Sequence, residues 1–324
     1  MKIAVLDDYQ NVVNKLNCYA QLEGLDTTVY TDTPASFDEL VNRLNDKDAL
    51  VLIRERTEIS SQLLARLPNL KLISQTGKIS NHINVEACNQ HRVAIAEGVG
   101  SPIAPSELCW SLILASSRHI VPYVDNFLQG SWQDSGPLGL GRTLNDLTMG
   151  IWGYGKIGQR IAQYAQVFGM QVLVWGSEAS RQKAQSDGFL AALSKRDFFA
   201  QSDVLSLHLR LSSKTEACVT YDDLQLMKQD ALIVNTSRAQ LIEPNALARS
   251  LKAGRPGYAA LDVYDSEPTT LEQEPLLGMP NVLCAPHIGY VEKNNYELYF
   301  NIAFENVVNF FHGQPQNIAN PGVL

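Results

Sequence analysis

The stretch MGIWGYGKIGQRIAQYAQVFGMQVLVWGSE, residues 149–178, carries three glycines spaced as Gly153-x-Gly155-x-x-Gly158. An apolar run precedes them, an amphipathic helical pattern follows and closes at Gly169, and a second apolar run ends at Trp175. In that setting each glycine has its own duty: a tight turn, close approach of backbone to a pyrophosphate, and close packing of helix on strand. The helix adds its positive N-terminal end at the phosphates. A bare glycine triplet is an ordinary turn, but with strand, helix and second strand in place it reads as a dinucleotide-binding unit. The second strand of such a unit usually ends in an acid that hydrogen-bonds the adenosine ribose. Here Gly176, Ser177 and Glu178 follow Trp175. Without that acid a ribose 2′-phosphate meets no repulsion, and Ser177 or Arg181 is placed to contact it; Glu178 could equally take the missing role. NAD(H) and NADP(H) both stay open.

On either side of this unit, short β-rich runs alternate with helix-competent polar stretches. Residues 2–6, 27–30, 49–53, 70–74 and 93–96 read as strands, and so do stretches near 148–152, 171–175, 203–209, 231–235, 257–262 and 281–284. Such alternation predicts an α/β protein with parallel sheets. Residues 101–120 open on a proline and a Ser-x-Glu start signal and carry Leu108, Leu112 and Ala115 at helical spacing, which predicts one long helix. Residues 130–150 are rich in glycine and turn formers and read as a loop, and 292–312 reads as a last helix with Phe300, Ala303, Phe304, Val307, Val308 and Phe311 on one side. The expected architecture is two Rossmann-like or flavodoxin-like domains with a cleft between them. A substrate domain takes 1–100 plus 290–324, and a dinucleotide-binding domain takes 101–289. Closure about linkers near residues 100 and 288 would expel water from the cleft.

Composition narrows the classes further. At 324 residues, 45% hydrophobic and 19% charged, the chain has material for two cores. A net charge of −8 with scattered basic residues argues against binding nucleic acid or an anionic membrane. The N-terminal apolar run is too short for a signal peptide and no stretch approaches membrane-spanning length, so a cytoplasmic protein is expected. Five cysteines without a C-x-x-C pair suit reduced thiols, and no zinc motif or other metal site is expected.

Three strands after the glycine loop end in groups fit for chemistry: VNTSRAQ (234–240) with Arg238, LDVYDSEP (261–268) with Asp262 and Glu267, and CAPHIG (284–289) with His287. In an open α/β sheet the carboxyl ends of strands converge on the ligand crevice. Each residue alone has a bland reading: a solvated cation, a turn acid before Pro268, a satisfied core histidine. Together, downstream of a dinucleotide fingerprint, they read as a site.

Across these segments the chain resembles the D-isomer-specific 2-hydroxyacid dehydrogenase family. The likeness runs through SQTGKISNHINVEAC (74–88), GYGKIG (153–158), SDVLSLHL (202–209), NTSRAQLI (235–242), ALDVYDSEP (260–268) and APHIGY (285–290). The resemblance implies hydride transfer between NAD(P)H and a small 2-oxo or D-2-hydroxy acid, as in glyoxylate or hydroxypyruvate reductases or phosphoglycerate dehydrogenases. It makes Arg238 the carboxylate-binding residue, Glu267 and His287 the acid/base pair, and Asp262 a group near the nicotinamide amide. Thr236 and Ser237 line the cofactor, and Gly153, Gly155, Lys156, Ile157, Gly158, Gly176, Ser177, His208 and Gly289 complete that set. The chemistry of the residue types agrees. A guanidinium is a planar fork for a carboxylate and polarises the neighbouring oxo group. Hydride addition leaves an alkoxide that needs a proton, and imidazolium supplies one near neutrality.

In the first domain QTGKIS (75–80), with Gly77, Lys78 and Ile79, resembles the family's substrate loop, whose backbone amides help hold the carboxylate, although Ile79 replaces the usual second glycine and Lys78 is either a second cation for the pocket or an exposed lysine. Arg54 aligns with a position that can touch substrate, and a surface arginine is its alternative. Arg210 stands where the family usually has proline and has no explanation from sequence. The helix at 101–120, with Trp110, Leu112 and Leu114 on more than one face, suggests a homodimer contact by resemblance, against burial inside one subunit. The competing function is an NAD(H)-binding, redox-sensing co-repressor, because a fold and its site can be borrowed for recognition.

Overall fold

The computed structural model describes all 324 residues as two compact units, one of Met1–Ser101 with Val291–Leu324 and one of Pro102–Tyr290. The first unit holds β1 (Lys2–Val5), β2 (Asp26–Val29), β3 (Ala49–Leu52), β4 (Leu72–Gln75) and β5 (Ala94–Ala96), all parallel in the order β2-β1-β3-β4-β5. This is the flavodoxin-like winding. Its helices are α1 (Phe37–Leu44), α2 (Ser61–Leu64) and α3 (Val85–Gln90), joined by the last helix of the chain. α1, α2 and α3 start at Ser36, Ser60 and Asn84, whose side chains accept an amide hydrogen bond from the first turn. β3 is buried at every position, as a strand covered on both faces must be.

In the second unit the helices in chain order are α4 (Ile103–Ser117), α5 (Ile120–Leu128), α6 (Lys156–Val167), α7 (Glu178–Ser186), α8 (Lys195–Gln201), α9 (Tyr221–Gln225) and α10 (Ala246–Lys252); α11 (Lys293–Phe311) returns to the first unit. Seven strands, β6 (Thr148–Trp152), β7 (Gln171–Trp175), β8 (Leu190–Ala191), β9 (Val204–Leu207), β10 (Leu232–Asn235), β11 (Tyr258–Leu261) and β12 (Val282–Cys284), form one parallel sheet. Their order is β12-β11-β10-β9-β6-β7-β8. The winding reverses between β6 and β9, the switch point at which such sheets bind ligands. Alternation along the strands builds two cores. Met149, Ile151, Val172, Val174, Leu232 and Val234 pack on one face with Ile161 and Ala165 of α6. Leu173, Leu205 and Ile233 pack on the other with Phe198, Phe199 and Leu251.

Three expectations need correction. The predicted single helix over 101–120 ends at Ser117, His119 turns left-handed at φ 50°, and α5 begins a new helix. Pro122, in the first turn of α5, is the cause: in a continuous helix its ring would meet the carbonyl of Arg118 four residues back. Trp110 and Leu112, expected at a contact between subunits, are buried in the unit's own core. The two-residue strand β8 was not expected at all, being too short to show a period.

Candidate active site

The glycine loop leaves the end of β6 at the switch point. Gly153 has φ 102°, and a Cβ there would lie 2.5 Å from the carbonyl oxygen of His208 at the end of β9. A Cβ on Gly158 would collide with the carbonyl oxygen of Gly153, so α6 lies directly on the turn. Gly155, the residue before α6, faces open space within 4 Å. The loop is thus tight where protein meets protein and open where a phosphate needs backbone access. Lys156 and Ile157 form the first turn of α6 and Gly158 is buried beneath it. His208 adds a buried ring Nδ1 without a hydrogen-bond partner, while its Nε2 lies 2.9 Å from Ser206 Oγ. Desolvation pushes His208 down to about 4, so its ring is neutral near pH 7 and is no proton donor.

Next along the sheet, Arg238 follows β10 by three residues. Asn235 fixes the turn between them: its Nδ2 donates to the Arg238 carbonyl at 2.8 Å, and its Oδ1 accepts from the Ser237 amide at 3.1 Å. Ser237 Oγ donates to the Leu207 carbonyl at 2.7 Å, pinning the turn to β9. Arg238 Nη1 donates to the Ser237 carbonyl, which folds the half-buried guanidinium back onto its own turn. The Asn235 carbonyl accepts from the Asp262 amide at 3.0 Å, so the ends of β10 and β11 move as one piece.

Asp262 is 1% exposed and clamps the next turn, accepting from the amides of Ile288 (2.8 Å) and Gly289 (2.9 Å). In this turn, which follows β12, sits His287, whose backbone is left-handed at φ 51°. For a residue with a Cβ that conformation costs of order 1–2 kcal/mol. The Asp262 clamp holds it. His287 Nδ1 lies 2.5 Å from Glu267 Oε2, and the Tyr264 amide donates to Glu267 Oε1 at 2.9 Å. Tyr264 Oη in turn donates to the Ala285 carbonyl at 2.8 Å, and the Tyr290 ring meets the imidazole edge-on at 5.8 Å. A carboxylate only accepts, so Nδ1 carries the proton shared with Glu267 and Nε2 is the nitrogen left for chemistry.

Burial pushes the Asp262 carboxyl up to about 6, against the opposing pull of the Ile288 amide, His287 and the Gly289 amide. A folded value above the ordinary carboxylate range means that the stabilising contribution is complete below that range and is lost as pH rises through about 6. The buried ion then costs about 3 kcal/mol at neutrality. Denaturant unfolding of the wild type and Asp262→Asn should show the wild type losing about that much relative to the variant between about pH 4 and pH 7. Parallel stability curves would show that Asp262 ionises freely.

The first unit carries Arg54, Gly77, Lys78 and Ile79. Arg54 is left-handed at φ 55°; its amide donates to Thr76 Oγ1 at 3.1 Å and its carbonyl accepts from Gln75 Nε2 at 2.7 Å. Its Nη1 occupies the place a Cβ on Gly77 would need, and its guanidinium carbon lies 5.9 Å from the centre of the Tyr299 ring. Glu97 takes Lys78 Nζ at 2.6 Å and the Ile79 amide at 2.9 Å, so one carboxylate holds both residues. Arg210 is exposed, and nothing in the structure explains it. Sequence alone does not single out Asn235, Tyr264, Tyr290 or Glu97. Asn235 and Tyr264 lie inside the quoted motifs, but nothing in a linear pattern shows that their side chains bond back onto the turn.

The chain also has known counterparts. A family model described as D-isomer specific 2-hydroxyacid dehydrogenase, NAD binding domain, matches residues 110–289. Glyoxylate reductase of Aeropyrum pernix is 31% identical over 300 residues, 90% of this chain and 88% of that protein. D-3-phosphoglycerate dehydrogenase of Methanocaldococcus jannaschii is 30% identical over 87% of this chain and 53% of its own length. The crystal structure of a phosphoglycerate oxidoreductase from Vibrio cholerae O395 superposes with a TM-score of 0.95 at 60% identity, covering 97% of this chain and 99% of that one. The chain belongs to the D-isomer-specific 2-hydroxyacid dehydrogenase family. Its cofactor is accordingly a nicotinamide dinucleotide, NAD(H) or NADP(H), and the open, close-packed glycine loop fits one.

Proposed function

We propose that this protein is an NAD(P)-dependent oxidoreductase that reduces a small 2-oxo acid to the D-2-hydroxy acid, with glyoxylate and hydroxypyruvate as the first substrates to consider. The observation that carries the reading is the 2.5 Å contact between His287 Nδ1 and Glu267 Oε2, beside a guanidinium whose turn is bonded to the same strand ends. Arg238 grips the substrate carboxylate through its fork of donors and polarises the adjacent oxo oxygen. When bound, the reduced nicotinamide supplies the hydride that adds to the oxo carbon. His287 Nε2 gives its proton to the oxygen as negative charge develops there, and Glu267 steadies the imidazolium beforehand. Gly153, Gly155 and Gly158 hold the pyrophosphate, and Thr236 and Ser237 line the cofactor. Asp262 receives the nicotinamide amide as well as holding the His287 turn. Arg54, Gly77, Lys78 and Ile79 are proposed as substrate-binding residues on their resemblance to the family's positions alone. Relatives named for phosphoglycerate put a phosphorylated 2-oxo acid on the same test panel.

The experiment is a panel of 2-oxo acids run with NADH and with NADPH. Steady oxidation of nucleotide with at least one acid is expected. Tight nucleotide binding without turnover on any of them would instead favour a redox sensor.

The same reading makes the protein a homodimer whose contact lies on α5. Ile120, Val121, Val124 and Phe127 are exposed on that helix, Leu128 is 80% exposed, and Trp132 stacks edge-on to Phe127. A contiguous apolar surface of this kind marks an interface on a water-soluble protein. Sedimentation at micromolar concentration should give twice the chain mass, and a monomer would remove the proposal. No helix is long and apolar enough to cross a membrane. The five free thiols support a reducing compartment, and the cytoplasm is the location proposed.

A further inference from the structure

β7 ends at Trp175, and the chain then turns through Gly176 and Ser177 into α7. Gly176 has φ 152°, and a Cβ there would lie 3.4 Å from Ser180 Cβ and 3.9 Å from the Gly153 amide nitrogen. The position that would carry a ribose-binding acid is therefore on the lip of the glycine loop and has no side chain. Hydroxyls gather around it. Ser177 Oγ caps α7, accepting from the Ser180 amide at 3.3 Å, and donates to Ser180 Oγ at 3.1 Å.

Arg181 stands one residue further on. Its guanidinium carbon lies 5.0 Å from the centre of the Trp175 ring, and its Nε is buried without a hydrogen-bond partner. No carboxylate pairs with it. The one acid in the first turn of α7, Glu178, is exposed and directed along its own helix, where its Oε1 accepts from Gln182 Nε2 at 3.1 Å. A half-buried guanidinium held flat on an indole with no acid of its own calls for an anion from outside the protein. Stacking fixes the plane of the fork, so little entropy is lost when a ligand arrives. At the adenosine end of a dinucleotide site the available anion is the phosphate on the ribose 2′ oxygen, which accepts well from guanidinium and hydroxyl donors.

We infer that this protein selects NADPH over NADH, with Arg181 and Ser177 recognising the 2′-phosphate and Gly176 leaving the acid's place empty. The inference rests on the reading of this unit as the dinucleotide site and not on the identity of the 2-oxo acid.

Nucleotide binding without substrate tests it, read by quenching of tryptophan emission with NADPH and NADH on the full chain. The wild type should bind NADPH at least about tenfold more tightly than NADH. Losing a charge-assisted contact in Arg181→Ala should weaken NADPH binding about 10- to 100-fold while NADH stays within about twofold. Ser177→Asp keeps a good helix cap but sets a carboxylate against the phosphate, and should reverse the preference. Equal or tighter NADH binding by the wild type overturns the inference, as does an Arg181→Ala variant that weakens both nucleotides alike. A protein that binds NADPH through Arg181 yet turns over no 2-oxo acid would sink the enzymatic reading alone. Turnover with NADH, in a protein that binds NADPH no better, would sink this inference alone.

Discussion

Arg238→Ala should lower kcat/KM for 2-oxo acid reduction by about 10³-fold, the scale of losing a charged group that serves the carboxylate and the developing alkoxide together. Because the guanidinium binds the ground state through the carboxylate and the transition state through the oxo oxygen, KM should rise and kcat should fall. Arg238→Lys keeps the charge and loses the planar fork, so it should recover only part of the loss. Folding is not at issue, since Asn235 and Ser237 hold the turn through the backbone and a neighbouring serine. Nucleotide binding measured without substrate should therefore be close to that of the wild type in both variants. A loss of less than about threefold for Arg238→Ala would show that another cation receives the acid.

The second large effect belongs to the proton donor. His287→Asn should cut kcat by about 10²- to 10⁴-fold with little change in KM, since general acid catalysis acts on the chemical step. Glu267→Gln keeps a hydrogen-bond acceptor opposite Nδ1 and so keeps the ring oriented, and its loss in kcat should be smaller than that of His287→Asn. A loss in kcat of less than about threefold in His287→Asn would mean that the proton comes from another group. His208 cannot be that group, because desolvation keeps its ring neutral near pH 7.

These outcomes separate residues that touch substrate from those that position them. Asp262 and Tyr264 meet the site through backbone and side-chain bonds to the His287 turn and to Glu267. Their substitution should alter the donor's orientation and the protein's stability before it alters the binding of the acid.

Much of this molecule was legible in one dimension because its signals are local and periodic. The glycine spacing at 153–158 has meaning only between two strands and a helix, and all three elements announce themselves by apolar period. The two parallel sheets follow from the same alternation, and the strand-end residues Arg238, Asp262, Glu267 and His287 stand out because charged or titratable groups follow buried runs. Folding decided what depends on distance between segments far apart in the chain. Glu267 and His287 are twenty residues apart and meet only because β11 and β12 are neighbours. Lys78 is a free cation on paper and an ion pair once β4 and β5 lie side by side and bring Glu97 to it. The break after Ser117, the burial of Trp110 and the unpaired stacking of Arg181 belong to the same class. Local pattern sets which elements form and which faces they bury, whereas the pairing of charges and the filling of a core depend on which strands become neighbours, a property that no single segment carries.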